Sequence, residues 1–533
     1  MSWRNRELGN KCVEDTAFDS KRQRSVSAKD NDQYQQTTTI SISKRQRSVS
    51  AKDNDQYQQK TTISISKRQR SVSSKDNDQY QQKTTISTHF NSPAIMGFRK
   101  ILFLLEMFYF VSTWGEKSKV ILLSMDGFRY DYLNKTDKIP NFKHLIESGV
   151  TMPYMNNSFV TKTFPCHYTM ATGLYPEVHG IVANRMYDPD LNKTFTMANT
   201  ETYWWDGGEP IWITAVKENR LVGVYFWPGS EAKIQGKRPT KWFKYSSSAP
   251  FGERVTTVVN WLADDHYDLA VLYFNEPDSA GHSYGPDSPS VVTAIERMDG
   301  ILGQLLTELD NTNLTDKVNL IVTSDHGMTA VDVENRLIDL SELLRNGTLL
   351  KSAVDEGPTA NLIPEPNKAK ELVEALSSVE HLHVMLKENI PERFHLKNNK
   401  RVMPVFAYAD EGWLITTNAT KRRANKYYGD HGFDNELVNM KPFFIARGPA
   451  FRTGGQVVDP IQSVDIYPLI CYLLDIPASP NNGSLERAKT LLRNSGRDVG
   501  SDVGSDVGSV HRISLLFIVL TFPFVYLFSY VLA

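Results

Sequence analysis

Seven side chains that can bind a metal ion or act as a nucleophile stand in five short stretches, each after an apolar run typical of a buried strand. They are Asp126, Thr163, Asp278, His282, Asp325, His326 and His431. Carboxylates mixed with imidazoles suit Zn²⁺, and three Asp with three His are enough for two ions. Thr163 then remains as the nucleophile. Two neighbouring metal ions are typical of phosphoryl-transfer sites, so the sequence predicts that chemistry.

Taken singly, these residues also have ordinary structural explanations. An Asp after a strand often caps the next helix, which applies to Asp126 and Asp325. Thr163 could simply cap a helix, and His431 lies in a Gly/Asp-rich stretch typical of a turn. Because all the stretches occur together, one shared site is the favoured interpretation.

The strands and helices predicted around these residues indicate an α/β fold. Buried strands are predicted for VILLSM, LVGVYFW, DLAVLYF and VNLIVTS. Helices are predicted for NFKHLIESG, ending at Gly149, and for VVTAIERMDGILGQLLTEL. Alternating strands and helices predict a mostly parallel sheet with helices on both faces. Ligands bind beyond the carboxyl ends of such strands, where Asp126, Asp278 and Asp325 all lie.

Composition limits the possible classes of protein. The chain has 533 residues, a net charge of −1 and three cysteines. This length is ample for a large core, and the neutral balance gives no reason to expect a nucleic-acid partner. Without a CxxC spacing, a cysteine-based zinc site is excluded. Cys166 and Cys471 are predicted to be buried thiols.

The first 115 residues differ from the rest. Residues 1–95 contain three near-copies of a polar 23-residue unit with little to bury, so we expect disorder. Residues 96–115 form a signal peptide-like segment, with Arg99 and Lys100 before an apolar run. This pattern in an internal position suggests that Met96 is the true start or that residues 1–95 are a gene-model artefact. A type II membrane anchor is the alternative.

The C-terminus carries a second membrane signal. A catalytic domain is predicted over residues 117–492, a spacer over 493–512, and an apolar tail over 513–533. The tail fits either a GPI signal or a single transmembrane span. Glycosylation sequons occur only after the signal-like segment, at Asn134, Asn156, Asn192, Asn313, Asn346, Asn418 and Asn482. We therefore expect a membrane-anchored protein at the cell surface, facing outward.

Five strings together resemble the ectonucleotide pyrophosphatase/phosphodiesterase family of the alkaline phosphatase superfamily. They are VILLSMDGFRYDYL, FVTKTFPCHYTMATGLYPEVHGIVANRMYDP, LYFNEPDSAGHSYGP, VTSDHGM and GDHGFDN. The resemblance runs from about Val120 to Gly483 and is to members that consist of a catalytic domain alone. It implies an alkaline phosphatase-like α/β fold and a two-zinc phosphodiesterase acting through a threonyl–phosphoryl intermediate.

The resemblance also implies roles for single residues. Asp278, His282 and His431 would hold one zinc, and Asp126, Asp325 and His326 the other, with Thr163 as its nucleophilic ligand. Asn184 matches the donor to a phosphate oxygen. The expected substrate contacts are Lys162, Phe164, Asn184, Tyr245 and Tyr284.

The sequence does not decide between two classes of substrate. Phe164 and Tyr245 match the aromatic pair that holds a base in nucleotide-cleaving relatives, which favours nucleotides. Other strings resemble the alkaline sphingomyelinase branch, which cleaves choline phospholipids, and aromatic rings would there enclose a quaternary ammonium group. A catalytically silent surface adhesion module is a further alternative, against which the intact ligand set argues.

Overall fold

The computed structural model describes residues 118–493, all within the unit of the chain that begins at Gly115. The repeats of residues 1–95, the signal-like segment of 96–115, nearly all of the spacer and the whole apolar tail lie outside this range. No helix within residues 118–493 is long and apolar enough to cross a membrane.

The described chain contains eighteen strands. They are β1 Lys119–Met125, β2 Val150–Thr151, β3 Met186–Asp188, β4 Lys193–Phe195, β5 Val222–Tyr225, β6 Lys241–Phe243, β7 Leu269–Phe274, β8 Val318–Thr323, β9 Thr329–Ala330, β10 Leu337–Asp339, β11 Leu350–Val354, β12 Thr359–Pro364, β13 Leu382–Leu386, β14 Val405–Ala409, β15 Leu414–Thr416, β16 Gly429–Asp430, β17 Phe444–Arg447 and β18 Gln456–Val457.

Eight of these strands form the central sheet, in the order β18-β2-β17-β8-β1-β7-β5-β6. The five strands from β8 to β6 are parallel, whereas β17 is antiparallel to both of its neighbours. Every residue of β7 and β8 is buried. Because successive side chains of a strand point to opposite faces, both faces of the sheet are covered. The predicted mostly parallel α/β fold is confirmed.

Thirteen α-helices accompany these strands in the described range. They are α1 Pro140–Ser148, α2 Thr163–Thr172, α3 Pro176–His179, α4 Thr202–Trp205, α5 Ile211–Lys217, α6 Phe251–Ala263, α7 Asp278–Tyr284, α8 Pro289–Asn311, α9 Ser341–Asn346, α10 Ala369–Leu376, α11 Ala419–Ala424, α12 Ile466–Leu473 and α13 Leu485–Ala488.

Both helices predicted from periodicity are present, as α1 and α8. Helix α1 ends at Gly149, as expected, but the glycine is not left-handed. A Cβ at Gly149 would lie 2.3 Å from the carbonyl oxygen of Ala446 on β17, so close backbone approach explains the glycine there.

A second, smaller sheet was not anticipated. It is antiparallel, with the order β11-β12-β14-β13, and has its own core around Leu350, Leu362 and Val405. This sheet occupies the chain between the predicted ligands His326 and His431. Strands β9 and β16 on either side of it pair antiparallel, with Thr329 opposite Asp430, and this pairing returns His431 to the neighbourhood of His326.

Candidate metal centre and active site

The two buried aspartates at the ends of β1 and β8 accept hydrogen bonds from one backbone N–H and two hydroxyl groups. The N–H of Gly127 donates to Asp325 Oδ1 over 3.1 Å, and Ser324 Oγ lies 3.2 Å from the same oxygen. The Tyr273 hydroxyl donates to Asp126 Oδ2 over 2.6 Å. Neither carboxylate caps a helix among residues 118–493, so the capping explanation is not supported for these residues.

The three predicted histidine ligands share one hydrogen-bond arrangement. His282 Nδ1 lies 2.8 Å from the Gly429 carbonyl, and His431 Nδ1 lies 2.8 Å from the Thr161 carbonyl. His326 Nδ1 lies 2.9 Å from the carbonyl of Gly327. A carbonyl only accepts, so each Nδ1 carries a proton, and Nε2 is the nitrogen left to offer a lone pair to a metal ion. That is the tautomer a metal ligand needs.

These Nε2 atoms face carboxylate oxygens. His326 Nε2 lies 3.4 Å from Asp126 Oδ1 and 3.0 Å from Asp325 Oδ2. Asp278 Oδ1 lies 3.4 Å from His282 Nε2 and 3.6 Å from His431 Nε2. The same three carboxylate oxygens are buried and lack a hydrogen-bond donor within the described range. Buried acceptors are rarely left unpaired, so this arrangement fits bound cations.

The predicted division between two ions is only partly reproduced. Asp278, His282 and His431 each offer one atom within 4.8 Å of the other two, as expected for one ion. Asp126 is shared by two further groups, one with Asp278 and His326 and the other with His167 and Asp325. The two predicted sets of ligands therefore adjoin each other at Asp126.

Burial and charge act on these groups in opposite ways. Burial raises the pKa of Asp126, and the carboxylates of Asp325 and Asp278 raise it further. Burial opposes ionisation of Asp325 too, but the imidazoles of His326 and His167 bring its pKa well below the usual value. Burial lowers the pKa of His431, with His326 and His282 adding to the effect, so His431 is neutral.

Thr163 faces this cluster from the first turn of α2. Its Oγ1 lies 3.5 Å from His326 Nε2, and the N-cap residue is Lys162, so Thr163 is not a helix cap. The N–H of Phe164 donates to Asn184 Oδ1 over 2.9 Å. Because this bond uses the amide oxygen, Asn184 Nδ2 remains available as a donor beside Thr163.

Two of the predicted substrate contacts lie beside this cluster. The Phe164 ring is half-buried and packs against Phe195 and Trp205, with ring centroids 6.0 and 5.9 Å apart. Tyr245 is 44 % exposed, and its ring lies 6.2 Å from that of Tyr273, whose hydroxyl binds Asp126. The Tyr245 ring therefore lies close to the metal-ligand cluster, and Phe164 follows Thr163 in the first turn of α2.

Lys162 and Tyr284, also predicted to contact substrate, have different surroundings. Lys162 is buried and its Nζ pairs with Asp355, so its charge is already neutralised within the fold. Tyr284 ends α7 and is 61 % exposed, and its ring makes no aromatic contact within residues 118–493.

His167 is a site residue that the sequence reasoning missed. It is fully buried one turn after Thr163, with Nδ1 2.8 Å from the Thr163 carbonyl and Nε2 2.9 Å from Ser124 Oγ. The same Nδ1 lies 3.2 Å from Asp325 Oδ2. Protein groups occupy both nitrogens, so His167 positions its neighbours and is not available as a ligand. A histidine within an apolar helical stretch carries no distinct signal in the sequence.

Comparison with known proteins identifies the family. The family model described as "Type I phosphodiesterase / nucleotide pyrophosphatase" matches residues 120–434. The chain belongs to this family. Its sequence is 41% identical over 380 residues to a bis(5'-adenosyl)-triphosphatase, enpp4, of Xenopus laevis, covering 70% of this chain and 82% of the relative. It is also 40% identical over 400 residues to human ectonucleotide pyrophosphatase/phosphodiesterase family member 5, covering 74% of this chain and 82% of the relative.

A solved relative supports the fold. Murine ectonucleotide pyrophosphatase/phosphodiesterase 5 matches with a TM-score of 0.67 and 41% identity, over 71% of this chain and 100% of the murine one. That structure is of an inactive threonine-to-alanine variant in complex with AMP. The fold is therefore the alkaline phosphatase-like fold of this family. Together with the named relatives, it identifies the protein as a phosphodiester hydrolase of the nucleotide pyrophosphatase/phosphodiesterase type.

Proposed function

We propose that the protein is a two-zinc nucleotide pyrophosphatase/phosphodiesterase that acts outside the cell through a threonyl–phosphoryl intermediate. One observation carries the proposal. Three imidazoles whose Nδ1 atoms are held by backbone carbonyls, and three buried carboxylate oxygens without a donor in the described range, form one cluster that Thr163 Oγ1 reaches at His326. Mixed oxygen and nitrogen ligands of this kind suit zinc.

The donor set divides between two ions. Asp278, His282 and His431 would hold one zinc. Asp126, Asp325, His326 and Thr163 would hold the other. Zinc in these positions would lower the pKa of the threonine hydroxyl and offset the charge of the phosphoryl oxygens.

Residues of the chain then supply the nucleophile and a hydrogen-bond donor to the phosphoryl group. Thr163 Oγ1 gives up its proton to solvent and attacks phosphorus, the bond to the leaving oxygen breaks, that oxygen departs with the bonding electron pair, and a phosphorylated threonine results. Asn184 Nδ2, held outward by the bond between its Oδ1 and the Phe164 N–H, donates to a non-bridging oxygen of the phosphoryl group. Water afterwards displaces the threonine from phosphorus, which regenerates the hydroxyl.

A nucleotide is the proposed substrate, in preference to a choline phospholipid. Phe164 follows Thr163 in the chain, and the Tyr245 ring contacts Tyr273, whose hydroxyl binds Asp126, so two aromatic rings are available to a base. Stacking on such rings is worth about 1–3 kcal/mol per base and suits any base. The relatives named for bis(5'-adenosyl)-triphosphate and solved with AMP support this choice.

Thr163→Ala tests the proposal. We expect it to abolish turnover of thymidine monophosphate p-nitrophenyl ester while zinc content stays near two per chain, because six of the seven ligands remain. Thr163→Ser should keep partial activity, since a hydroxyl remains. Substantial turnover by the alanine variant would refute the nucleophile role. Diadenosine polyphosphates and sphingomyelin, assayed in parallel on the unmodified protein, separate nucleotide from choline-lipid hydrolysis.

The proposed location rests on sequence signals, of which the signal-like segment and the apolar tail lie outside the described range. The signal-like segment, the sequons and the apolar tail of residues 513–533 favour attachment to the outer cell surface. If the tail is a GPI signal, phosphatidylinositol-specific phospholipase C should release active enzyme from intact cells. Full retention after complete digestion would favour a single transmembrane span, and activity found only after cell lysis would contradict the outward orientation.

A further inference from the structure

A glycosylation sequon begins at the N-terminus of helix α11. Asn418 is the N-cap residue, and its Oδ1 accepts a hydrogen bond from the N–H of Lys421 over 2.9 Å. Asn418 and Thr420 are both exposed. Within the described range Asn418 Nδ2 makes no hydrogen bond, so the atom that carries an N-linked glycan is free while the capping oxygen is engaged.

Asn418 also lines a cavity of about 580 Å³ beside the active site. Three other residues that line this cavity show how close it lies to the active site. Arg185 follows Asn184 in the chain, Asp355 pairs with Lys162 next to the nucleophile, and Arg422 lies 2.9 Å from Asp430, which precedes the ligand His431. This space, called the side cavity below, therefore adjoins the reaction centre.

We infer that Asn418 carries an N-linked glycan that stands at the rim of the side cavity and limits which substrates fit there. The inference rests on the proposed outward location. In forming the glycan, Nδ2 bonds to the anomeric carbon of a lipid-diphosphate-linked oligosaccharide. The lipid diphosphate leaves, and Nδ2 loses one proton. Oδ1 takes no part in this bond, so the helix cap persists after modification.

The sequon at Asn156 shows the opposite geometry. Asn156 is half-buried and its Oδ1 accepts from Lys441 Nζ over 2.9 Å. The hydroxyl residue of the sequon, Ser158, is buried and bonds to Thr169 within the core. A glycan there would have to displace packed side chains, so Asn156 serves as the internal negative comparison.

Site occupancy is the first measurement. The full chain is expressed in a secretory eukaryotic host and digested with peptide N-glycosidase, which converts each occupied Asn to Asp, and peptides are read by mass spectrometry. We expect conversion at Asn418 and none at Asn156. Conversion at exposed sequons such as Asn134 or Asn313 but not at Asn418 would overturn the inference and leave the proposed function intact. No conversion anywhere would instead contradict the outward location on which both rest.

Kinetics provide the second measurement. Thr420→Ala removes the sequon and keeps the Asn418 cap, Asn418→Asp removes the glycan and keeps a capping carboxylate, and Thr420→Ser keeps the sequon. We expect both glycan-free variants to lower KM for diadenosine triphosphate about two- to tenfold, the range that ordering one or two flexible groups costs. Thymidine monophosphate p-nitrophenyl ester, whose leaving group is small, should change little. If the glycan-free variants changed KM equally for both substrates, or for neither, the glycan would not limit which substrates fit at the side cavity.

Discussion

A histidine binds a metal ion only if one ring nitrogen has a free lone pair, so the partner of the other nitrogen decides its role. Backbone carbonyls hold Nδ1 of His282, His326 and His431. The nitrogens of His167 are both used, one by the Thr163 carbonyl and one by Ser124 Oγ. Hydrogen bonding therefore separates three candidate ligands from a positioning residue of the same type.

Replacement of His167 tests that distinction. His167→Phe removes both hydrogen bonds and the nitrogen that lies 3.2 Å from Asp325, while an aromatic ring still fills the space. Partners of this kind usually contribute about 10–100-fold to metal affinity or activity, and we expect a loss in that range. Zinc affinity, from competition with a chelator, and kcat should fall together, with a smaller change in KM.

His179→Phe is the matched control. His179 is also fully buried and also uses both nitrogens, bonding to Thr169 Oγ1 over 3.0 Å and to the N–H of Ile181 over 3.1 Å. Neither of these hydrogen-bond partners, Thr169 and Ile181, is a predicted ligand. Both variants should lose stability, but only the change at His167 should weaken zinc binding. Equal weakening by both would show that His167 has only a packing role.

At the level of elements, the turn after β1 brings two predicted ligands into contact. Gly127 has a φ of +66°, which only glycine adopts without strain. A Cβ there would lie 2.8 Å from Asp278 Cβ and 2.9 Å from Asp278 Cα at the start of α7. The Gly127 N–H also binds Asp325 Oδ1. One small residue therefore lets the ends of three neighbouring strands approach.

Gly127→Ala should disturb the site and the fold together. The left-handed backbone costs about 1–2 kcal/mol for a residue with a side chain. The clash with Asp278 cannot be relieved by a rotamer change, because it includes backbone. We expect a lower free energy of unfolding, measured in denaturant, and a loss of zinc from the group containing Asp278.

Gly300→Ala is the matched control for Gly127→Ala. Gly300 is exposed inside α8, and a Cβ there would meet nothing within 4 Å. Alanine in a helix interior is favoured over glycine by about 0.5–1 kcal/mol, so this variant should be slightly more stable with unchanged zinc content. If Gly127→Ala behaved in the same way, the close packing of the turn against Asp278 would not matter for the site.

The elements also show what sequence patterns can predict. The strands β1, β7 and β8 were predictable because buried runs with polar residues at their ends are distinctive, and this placed Asp126, Asp278 and Asp325 together. The small sheet β11-β12-β14-β13 was missed, because its outer strands β11 and β13 are only partly buried and show no clear period. The pairing of β9 with β16 is a long-range contact, which no local pattern in the sequence encodes.

At the scale of the whole molecule, the site places the buried carboxylates of Asp126 and Asp325 and the half-buried one of Asp278 close together at the carboxyl ends of central strands. Burial raises the pKa of Asp126, and the charges of Asp325 and Asp278 raise it further. In the protein without metal this repulsion opposes folding, since the unfolded chain separates and hydrates the carboxylates. Bound cations would reverse the sign of this contribution.

Removal of metal should therefore destabilise the entire fold, and one variant should show why. We expect a chelator to lower the thermal midpoint and added zinc to restore it, since ligand at one hundred times its Kd contributes about 2.7 kcal/mol. Asp126→Asn keeps an acceptor for the Tyr273 hydroxyl but removes one negative charge. It should raise the midpoint of the chelated protein and lower that of the zinc-bound protein. A change of the same sign in both states would mean that charge repulsion between these carboxylates, and its relief by metal, does not control the stability of the fold.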